Sequence, residues 1–158
     1  MTCKACQGEW PIADHRLGDC GVTQAYLFDD QYFEGWTVLV LKQHATELFQ
    51  LSTTDRGRLI EEVSAVAKAL STVYQANKIN YELLGNQLPH IHWHLIPRGA
   101  RDPAPNEPVW RVRHVPVSLG RDALVSQLEL LRGELHRTLP GFVTDTMSDG
   151  VERRSRLE

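Results

Sequence analysis

The amino-acid sequence predicts an α+β fold, in which an antiparallel β-sheet packs against one long helix and a further helix follows towards the C-terminus. Three patterns lead to this prediction. Short segments rich in β-branched and aromatic residues occur with turn residues between them, as in antiparallel strands. One long segment has apolar residues at three- and four-residue steps, which is typical of an amphipathic helix. A second segment with leucines at helical spacing lies near the end of the 158-residue chain.

The first two strands are predicted over residues 22–28 and 36–41, which are rich in β-branched and aromatic side chains. The sequence DDQYFEG between them carries turn residues, so the two strands are expected to form an antiparallel pair. A long helix is then predicted over residues 52–77. Ser52 can cap it, with Asp55 three residues later. The apolar stripe consists of Leu59, Val63, Val66, Leu70 and Val73.

The third and fourth strands are predicted over residues 78–84 and 90–97, joined by the short loop GNQLP. A proline-rich segment at 98–110 is expected to cross the surface. The final helix is marked by leucines and ends before Pro140 and Gly141. Residues 1–143 are therefore predicted to form a single domain, followed by a polar, flexible tail at 144–158.

Composition excludes several classes of protein. The apolar share of 42% and charged share of 23% are ordinary for a globular domain. A net charge of −3 gives no general electrostatic reason to bind a nucleic acid polymer. No apolar stretch approaches the roughly 18 residues that span a bilayer, and the N-terminus lacks a signal-peptide pattern. Three cysteines fit a reducing compartment. A cytoplasmic protein without a membrane partner is predicted.

The segment HIHWHLI places three histidines at alternate positions, namely His90, His92 and His94. In a strand these side chains share one face, and the apolar residues between them share the other. The apolar face is expected to dock on the core. The histidine face is expected to line a cleft, because buried imidazoles without partners are costly.

A single metal ion bound by all three histidines is one interpretation of this strand. Residues i and i+4 lie about 13 Å apart along a strand, so the outer two would have to lean inward to reach one ion. A division of roles among the histidines is easier to build. The three-histidine metal hydrolase therefore stays as an alternative.

The segment HIHWHLI also resembles the signature of the histidine triad (HIT) superfamily, His-φ-His-φ-His-φ-φ with φ apolar, and the dipeptide PR follows as in many members. Upstream, GWTVLVLKQH is similar to the family's strand that ends in lysine-x-histidine, with Leu41 where a proline is common. The similarity covers residues 3–98. It implies a HIT-like fold and an enzyme that acts on the α-phosphate of a nucleotide, similar to zinc-containing bacterial HIT proteins and diadenosine polyphosphate hydrolases.

What the resemblance implies for this chain is a covalent mechanism. His92 would attack the α-phosphate, and His94 would contact or position it. Water would then release a nucleoside monophosphate, such as AMP, from a dinucleoside polyphosphate or a phosphoramidate. Asn86 and Gln87 would contribute to binding the phosphate. Because Gln87 stands where many relatives have serine or threonine, and an amide is a poor proton donor, the leaving group is not predicted.

Cys3-x-x-Cys6 alone is weak support for a metal site. In several bacterial HIT proteins, however, such a pair binds zinc together with two histidines. The resemblance therefore implies a structural zinc site formed by Cys3, Cys6, His44 and His90. Four protein ligands would close the coordination sphere.

The remaining site predictions follow from the similarity alone. Asp29 is expected near the ribose hydroxyls, with Asp30 as the alternative, and Arg98 is expected near the phosphate. Trp110 is expected to cover the cleft, either its own or that of a partner, because the family usually forms homodimers. Two other functions keep the fold: transfer of the nucleotidyl group to phosphate or a sugar phosphate, and a non-catalytic nucleotide-binding module. The intact His92 argues against the second.

Overall fold

The computed structural model of the protein describes residues 3–144. Its centre is one five-stranded sheet in which every neighbouring pair of strands is antiparallel, in the order β1-β2-β3-β5-β4. The strands are β1 (Arg16–Asp19), β2 (Thr23–Leu27), β3 (Thr37–Leu41), β4 (Lys78–Glu82) and β5 (His92–Arg98). The helices are α1 (Thr53–Tyr74) and α2 (Arg121–Thr138), with short 3-10 turns at Ala13–His15, Leu48–Gln50 and Val109–Arg111. The predicted α+β fold, with one long helix on an antiparallel sheet, is confirmed.

Helix α1 begins at the predicted cap. The Ser52 side chain accepts a hydrogen bond from the Asp55 backbone N–H at 3.0 Å. The helix ends at Tyr74, three residues earlier than predicted, because Gln75 takes a left-handed backbone conformation with φ of 51°. This reversal turns the chain directly into β4.

The main core lies between α1 and one face of the sheet. Leu39 and Leu95 come from the central strands β3 and β5, and both are fully buried. Ile91 and Trp93, which alternate with the histidines, pack in the same core, as predicted for the apolar face. Helix α2 packs against α1 and β1. A second, smaller hydrophobic cluster is separate from the main core and includes Ile96 of β5. Its members are Phe33, Trp36, Ile96 and Val109.

The sequence patterns missed β1. This strand is only four residues long, and its sequence RLGD carries two charged residues and a glycine, which are poor strand formers. It exists because it pairs with β2, with an irregularity between Arg16 and Gly18. The predicted strand at 90–97 begins at His92, since His90 and Ile91 precede the regular pairing.

Within residues 3–144, no helix has the length and apolar character needed to cross a membrane. Apart from Thr144, the predicted tail at 144–158 lies outside the described residues.

Candidate active site and metal centre

The histidine strand β5 lies between β3 and β4, so hydrogen bonds hold it on both edges. Val40 is opposite His92 and Val38 is opposite His94 in the register with β3. Both histidines are almost fully buried, with 6% and 4% of their surfaces exposed. The strand thus fixes two neighbouring imidazoles on one face of a central strand.

His92 and His94 line a pocket of about 550 Å³. The loop 84–88, which includes the predicted Asn86 and Gln87, forms another part of its wall. Lys4 and Trp10 of the N-terminal arm, defined as residues 3–10, also line it. The predicted cleft over the histidine face is therefore present, and five separate parts of the chain line it, since Phe28 and Trp110 also contribute.

Aromatic rings enclose this pocket. The Trp10 ring meets the His92 ring edge-on with 5.0 Å between the ring centroids. Phe28 and Trp110 both contact His94 in the same manner, at 5.5 and 5.2 Å. Trp110 therefore lies against His94 of its own chain, while the predicted homodimer stays a prediction.

His92 has one ring nitrogen free for chemistry. Its Nδ1 lies 2.7 Å from the backbone carbonyl oxygen of His90. Because a carbonyl oxygen can only accept, Nδ1 carries the hydrogen and Nε2 keeps its lone pair. Burial lowers the pKa of His92. The hydrogen bond to the His90 carbonyl raises this pKa in part, and the nearby His90 ring lowers it further. A neutral imidazole with an available lone pair is a nucleophile.

His94 presents the opposite tautomer. The Trp36 Nε1–H donates to His94 Nδ1 at 2.9 Å. An indole nitrogen can only donate, so His94 Nδ1 is the acceptor and Nε2 carries the hydrogen. Burial, reinforced by the neighbouring His92, lowers the pKa of His94 to about 3. At neutral pH this side chain is therefore an uncharged hydrogen-bond donor.

His90 does not line the pocket and instead belongs to a separate cluster. Its Nε2 donates to the Leu41 carbonyl oxygen at 2.6 Å, which leaves the Nδ1 lone pair free. This Nδ1 lies 3.4 Å from the Cys3 sulfur, 3.6 Å from the Cys6 sulfur and 3.3 Å from His44 Nδ1. His44 Nδ1 is 3.3 Å from the Cys6 sulfur.

The four ligand atoms of Cys3, Cys6, His44 and His90 all lie within 4.8 Å of one another, so the cluster could hold a metal ion. The hydrogen bond from His90 to Leu41 is the kind of support that fixes the orientation of a metal-binding histidine. The one interpretation this arrangement disfavours is a metal shared by all three strand histidines. The free nitrogen of His90 faces the cysteines, whereas His92 and His94 face the pocket.

The two acidic candidates have different environments. Asp29 is exposed, follows the pocket residue Phe28 and forms no hydrogen bond within residues 3–144. The Asp30 carboxylate is occupied: it accepts from His114 Nε2 at 2.7 Å and from the backbone N–H groups of Tyr32 and Val117, both at 3.0 Å. Asp30 therefore attaches the segment before α2 to the loop after β2.

Arg98 does not lie where it was predicted. It is absent from the lining of the histidine pocket, and its side chain is 93% buried, with 7% exposed. The guanidinium bonds to Asn80 and Asp102, and it donates to the backbone carbonyls of Ala104 at 2.6 Å and Glu107 at 3.0 Å. Because all three guanidinium nitrogens form hydrogen bonds within the chain, Arg98 holds the proline-rich segment in place.

Sequence reasoning missed Lys4, Trp10 and Trp36. One local feature could have indicated Lys4: it lies between the two cysteines, so its position depends on where they bind. No local feature indicated Trp10 or Trp36. Trp10 contacts His92, 82 positions later, and Trp36 contacts His94, 58 positions later.

A family model described as the HIT domain matches residues 18–101, which is more than half of the chain. The protein therefore belongs to the HIT family, and the prediction of a HIT-family enzyme is confirmed at that level. The adenosine 5'-monophosphoramidase hnt1 of Schizosaccharomyces pombe is 26% identical over 99 residues, which are 62% of this chain and 73% of that protein.

Solved structures agree on the fold. A histidine triad protein from Marinobacter aquaeolei VT8 is 29% identical, with a TM-score of 0.72, over 78% of this chain and 90% of that one. A zinc-bound histidine triad family protein from Mycobacterium smegmatis is 19% identical, with a TM-score of 0.62, over 87% of this chain and 95% of that one. At this lower identity the likeness concerns the fold alone.

Proposed function

We propose that the protein is a nucleotide hydrolase that releases a nucleoside monophosphate, first of all AMP, through a covalent nucleotidyl intermediate on His92. The substrate would be a dinucleoside polyphosphate or a phosphoramidate. The observation that carries this proposal is the pair of opposite tautomers in one pocket. His92 offers a lone pair from Nε2, and His94 beside it offers an N–H. The similarity to an adenosine 5'-monophosphoramidase supports the choice of reaction.

In the first step His92 Nε2 would form a bond to the α-phosphorus, and the bond from phosphorus to the leaving group would break. The leaving group would depart with the electron pair and, if it is an amine, with a proton from solvent. The imidazole then gains positive charge. The hydrogen bond from its Nδ1–H to the His90 carbonyl would stabilise that charge and hold the ring in position. The His94 Nε2–H would donate to a phosphoryl oxygen as charge develops there. The exposed amides of Asn86 and Gln87 could add further hydrogen bonds.

In the second step a water molecule would attack the phosphorus of the intermediate and break the P–N bond. Its oxygen and one of its protons would stay on the nucleoside monophosphate, and its other proton would pass to solvent. His92 would regain its lone pair and remain hydrogen-bonded to the His90 carbonyl. Since the same intermediate could be attacked by phosphate or a sugar phosphate, adding such acceptors tests transfer against hydrolysis.

Zinc is the metal that we propose for the cluster of Cys3, Cys6, His44 and His90. Bond lengths of about 2.3 Å to sulfur and 2.0–2.1 Å to nitrogen place tetrahedral ligands about 3.3–3.4 Å apart for N···N and 3.6 Å for N···S. The cluster has 3.3 Å for N···N and 3.3–3.6 Å for N···S, which fits. A zinc ion with four protein ligands would attach the N-terminal arm to the strand that carries His92.

The test of His92 is intact-protein and peptide mass spectrometry after brief mixing with adenosine phosphoramidate or diadenosine tetraphosphate. The quench is kept alkaline to protect the P–N bond. Wild type is expected to show a transient adenylyl adduct on the peptide that contains His92, together with released AMP. His92→Ala should lose both, while His136→Ala, an exposed histidine on α2, should retain both.

Two outcomes would contradict the proposal. AMP release by His92→Ala at the wild-type rate would exclude this nucleophile. Intact nucleotide binding without adduct or AMP in the wild type would favour the non-catalytic binding module.

A further inference from the structure

The pocket at the histidine strand has little positive charge for a phosphorylated ligand. Its two histidines are almost fully buried, and the Nδ1 atom of each is engaged by a neighbouring group. Arg98, the cation expected from the sequence, uses its donors elsewhere. Of the residues that line this pocket within 3–144, Lys4 alone has a side chain that is formally charged at neutral pH. Phosphate groups without a cationic partner would lose hydration at a cost.

The position of Lys4 follows from the cluster that flanks it. Cys3 directly precedes Lys4 and Cys6 follows it by two positions, and both cysteines contact His90, which lies two residues before His92. Backbone hydrogen bonds hold the arm in a compact turn, with the Glu9 N–H donating to the Lys4 carbonyl at 2.9 Å and the Gln7 N–H to the Cys3 carbonyl at 3.1 Å. The arm therefore has a defined path past the pocket.

The Lys4 side chain is available for a ligand. It is exposed, and among residues 3–144 no carboxylate forms an ion pair with it. By contrast, Lys42, which follows β3, pairs with Asp19 at 2.5 Å. Trp10, further along the same arm, already contacts the His92 ring, so the arm reaches the residue proposed as nucleophile.

From this geometry we infer that Lys4 is a substrate-binding residue whose ammonium group contacts the phosphoryl oxygens of the nucleotide, an inference that rests on the proposed function. The N-terminal arm then has two roles. It carries two ligands of the metal cluster, and it delivers the positive charge that the histidine pocket otherwise lacks. A lysine without this role would be a solvated surface residue, and its replacement would leave nucleotide binding unchanged.

The test compares the binding of AMP and adenosine by isothermal titration calorimetry, because adenosine has the same base and ribose without the phosphate. Lys4→Met, which keeps the length of the side chain without its charge, should weaken AMP binding about tenfold or more. Its adenosine affinity should stay within about twofold of wild type. Lys4→Arg should bind AMP nearly as wild type does. Lys68→Met, on the exposed side of α1, is the matched control and should change neither ligand.

A salt series gives a second readout that a purely structural role would not move. AMP affinity of wild type should fall as ionic strength rises, and this fall should be smaller in Lys4→Met. Metal content and thermal unfolding of each variant show whether the arm and the fold are intact.

The inference is overturned if Lys4→Met binds AMP as wild type does, if AMP and adenosine weaken equally, or if wild type binds no AMP. These results are distinguishable from failure of the covalent mechanism. AMP binding that depends on Lys4, with no adduct on His92, would contradict the proposed mechanism and leave the role of Lys4 standing.

Discussion

At the scale of single residues, the three strand histidines differ in which ring nitrogen carries the hydrogen. His92 and His90 each donate to a backbone carbonyl, but His92 does so through Nδ1 and His90 through Nε2. His94 accepts from an indole N–H. Histidine at alternate positions can therefore supply a candidate nucleophile, a candidate metal ligand and a hydrogen-bond donor. This is possible because the group bonded to each imidazole can only accept or only donate a hydrogen bond, which determines the tautomer.

Trp36→Phe tests whether the tautomer of His94 matters for catalysis. The substitution keeps an aromatic ring but removes the N–H that holds His94 Nδ1 as an acceptor. His94 could then adopt the other tautomer and lose its donor towards the phosphate. We expect kcat to fall about tenfold, with a smaller change in KM, in steady-state assays of AMP release.

Trp93→Phe is the matched control for Trp36→Phe. Trp93 lies on the opposite face of the same strand, and its buried Nε1 has no hydrogen-bond partner in the described part of the chain. Removing that N–H breaks no bond, so activity should stay near wild type. Equal losses in both variants would show that ring volume, and not the tautomer of His94, controls the rate.

The roles of these residues could be predicted only in part. The alternation of β5 places His92 and His94 on one face, because side-chain direction in a strand has a period of two, whereas His90 precedes the strand. The tautomers could not be predicted, since Trp36 lies 58 positions from His94. The predicted position of Arg98 near the phosphate is wrong for a related reason. Its partners Asn80 and Glu107 come from different segments, and no local pattern shows that they would use its donors.

At the scale of elements, a buried carboxylate joins α1 to the sheet. Glu62 lies on the buried face of the helix. Its side chain accepts hydrogen bonds from the backbone N–H groups of Val22 at 2.7 Å and Thr23 at 2.8 Å, and from the Thr23 hydroxyl at 2.6 Å. These bonds satisfy backbone donors at the turn between β1 and β2. They also fix where the helix crosses this end of the sheet.

Glu62→Ala should lower the free energy of unfolding by about 2–4 kcal/mol, because it leaves buried backbone donors without partners and opens space beside the helix. Urea denaturation followed by circular dichroism measures this change. Glu61→Ala, at the preceding exposed position of α1, should stay within about 0.5 kcal/mol of wild type. Equal effects at both positions would show that the hydrogen bonds of Glu62 contribute nothing specific.

Elements with strong periodicity were predictable and short ones were not. The 22 residues of α1 carry enough apolar repeats to identify the helix. The four residues of β1 acquire their structure from β2 on one side and from the bridge between Asp19 and Val143 on the other. Their conformation depends on partners distant in sequence, so the local sequence does not determine it.

At the scale of the whole molecule, the N-terminal arm and the histidine strand form one unit although they lie far apart in sequence. Cys3 meets His90 across 87 positions, and Trp10 meets His92. Metal binding by the four-residue cluster would constrain the arm, because a site of this kind is assembled only in the folded chain. Loss of the metal should therefore affect the pocket even though no cluster residue lines it.

Metal analysis of Cys3→Ala and His92→Ala tests this coupling. Wild type and His92→Ala should contain about one zinc per chain, whereas Cys3→Ala should lose it, because a tetrahedral site with three remaining ligands binds far more weakly. Cys20→Ala, which removes a buried cysteine outside the cluster, should keep the metal. In Cys3→Ala the arm should leave the pocket, so tryptophan fluorescence should change and AMP binding should weaken towards that of Lys4→Met. Zinc that stays in Cys3→Ala but is lost from His92→Ala would instead place the metal among the strand histidines.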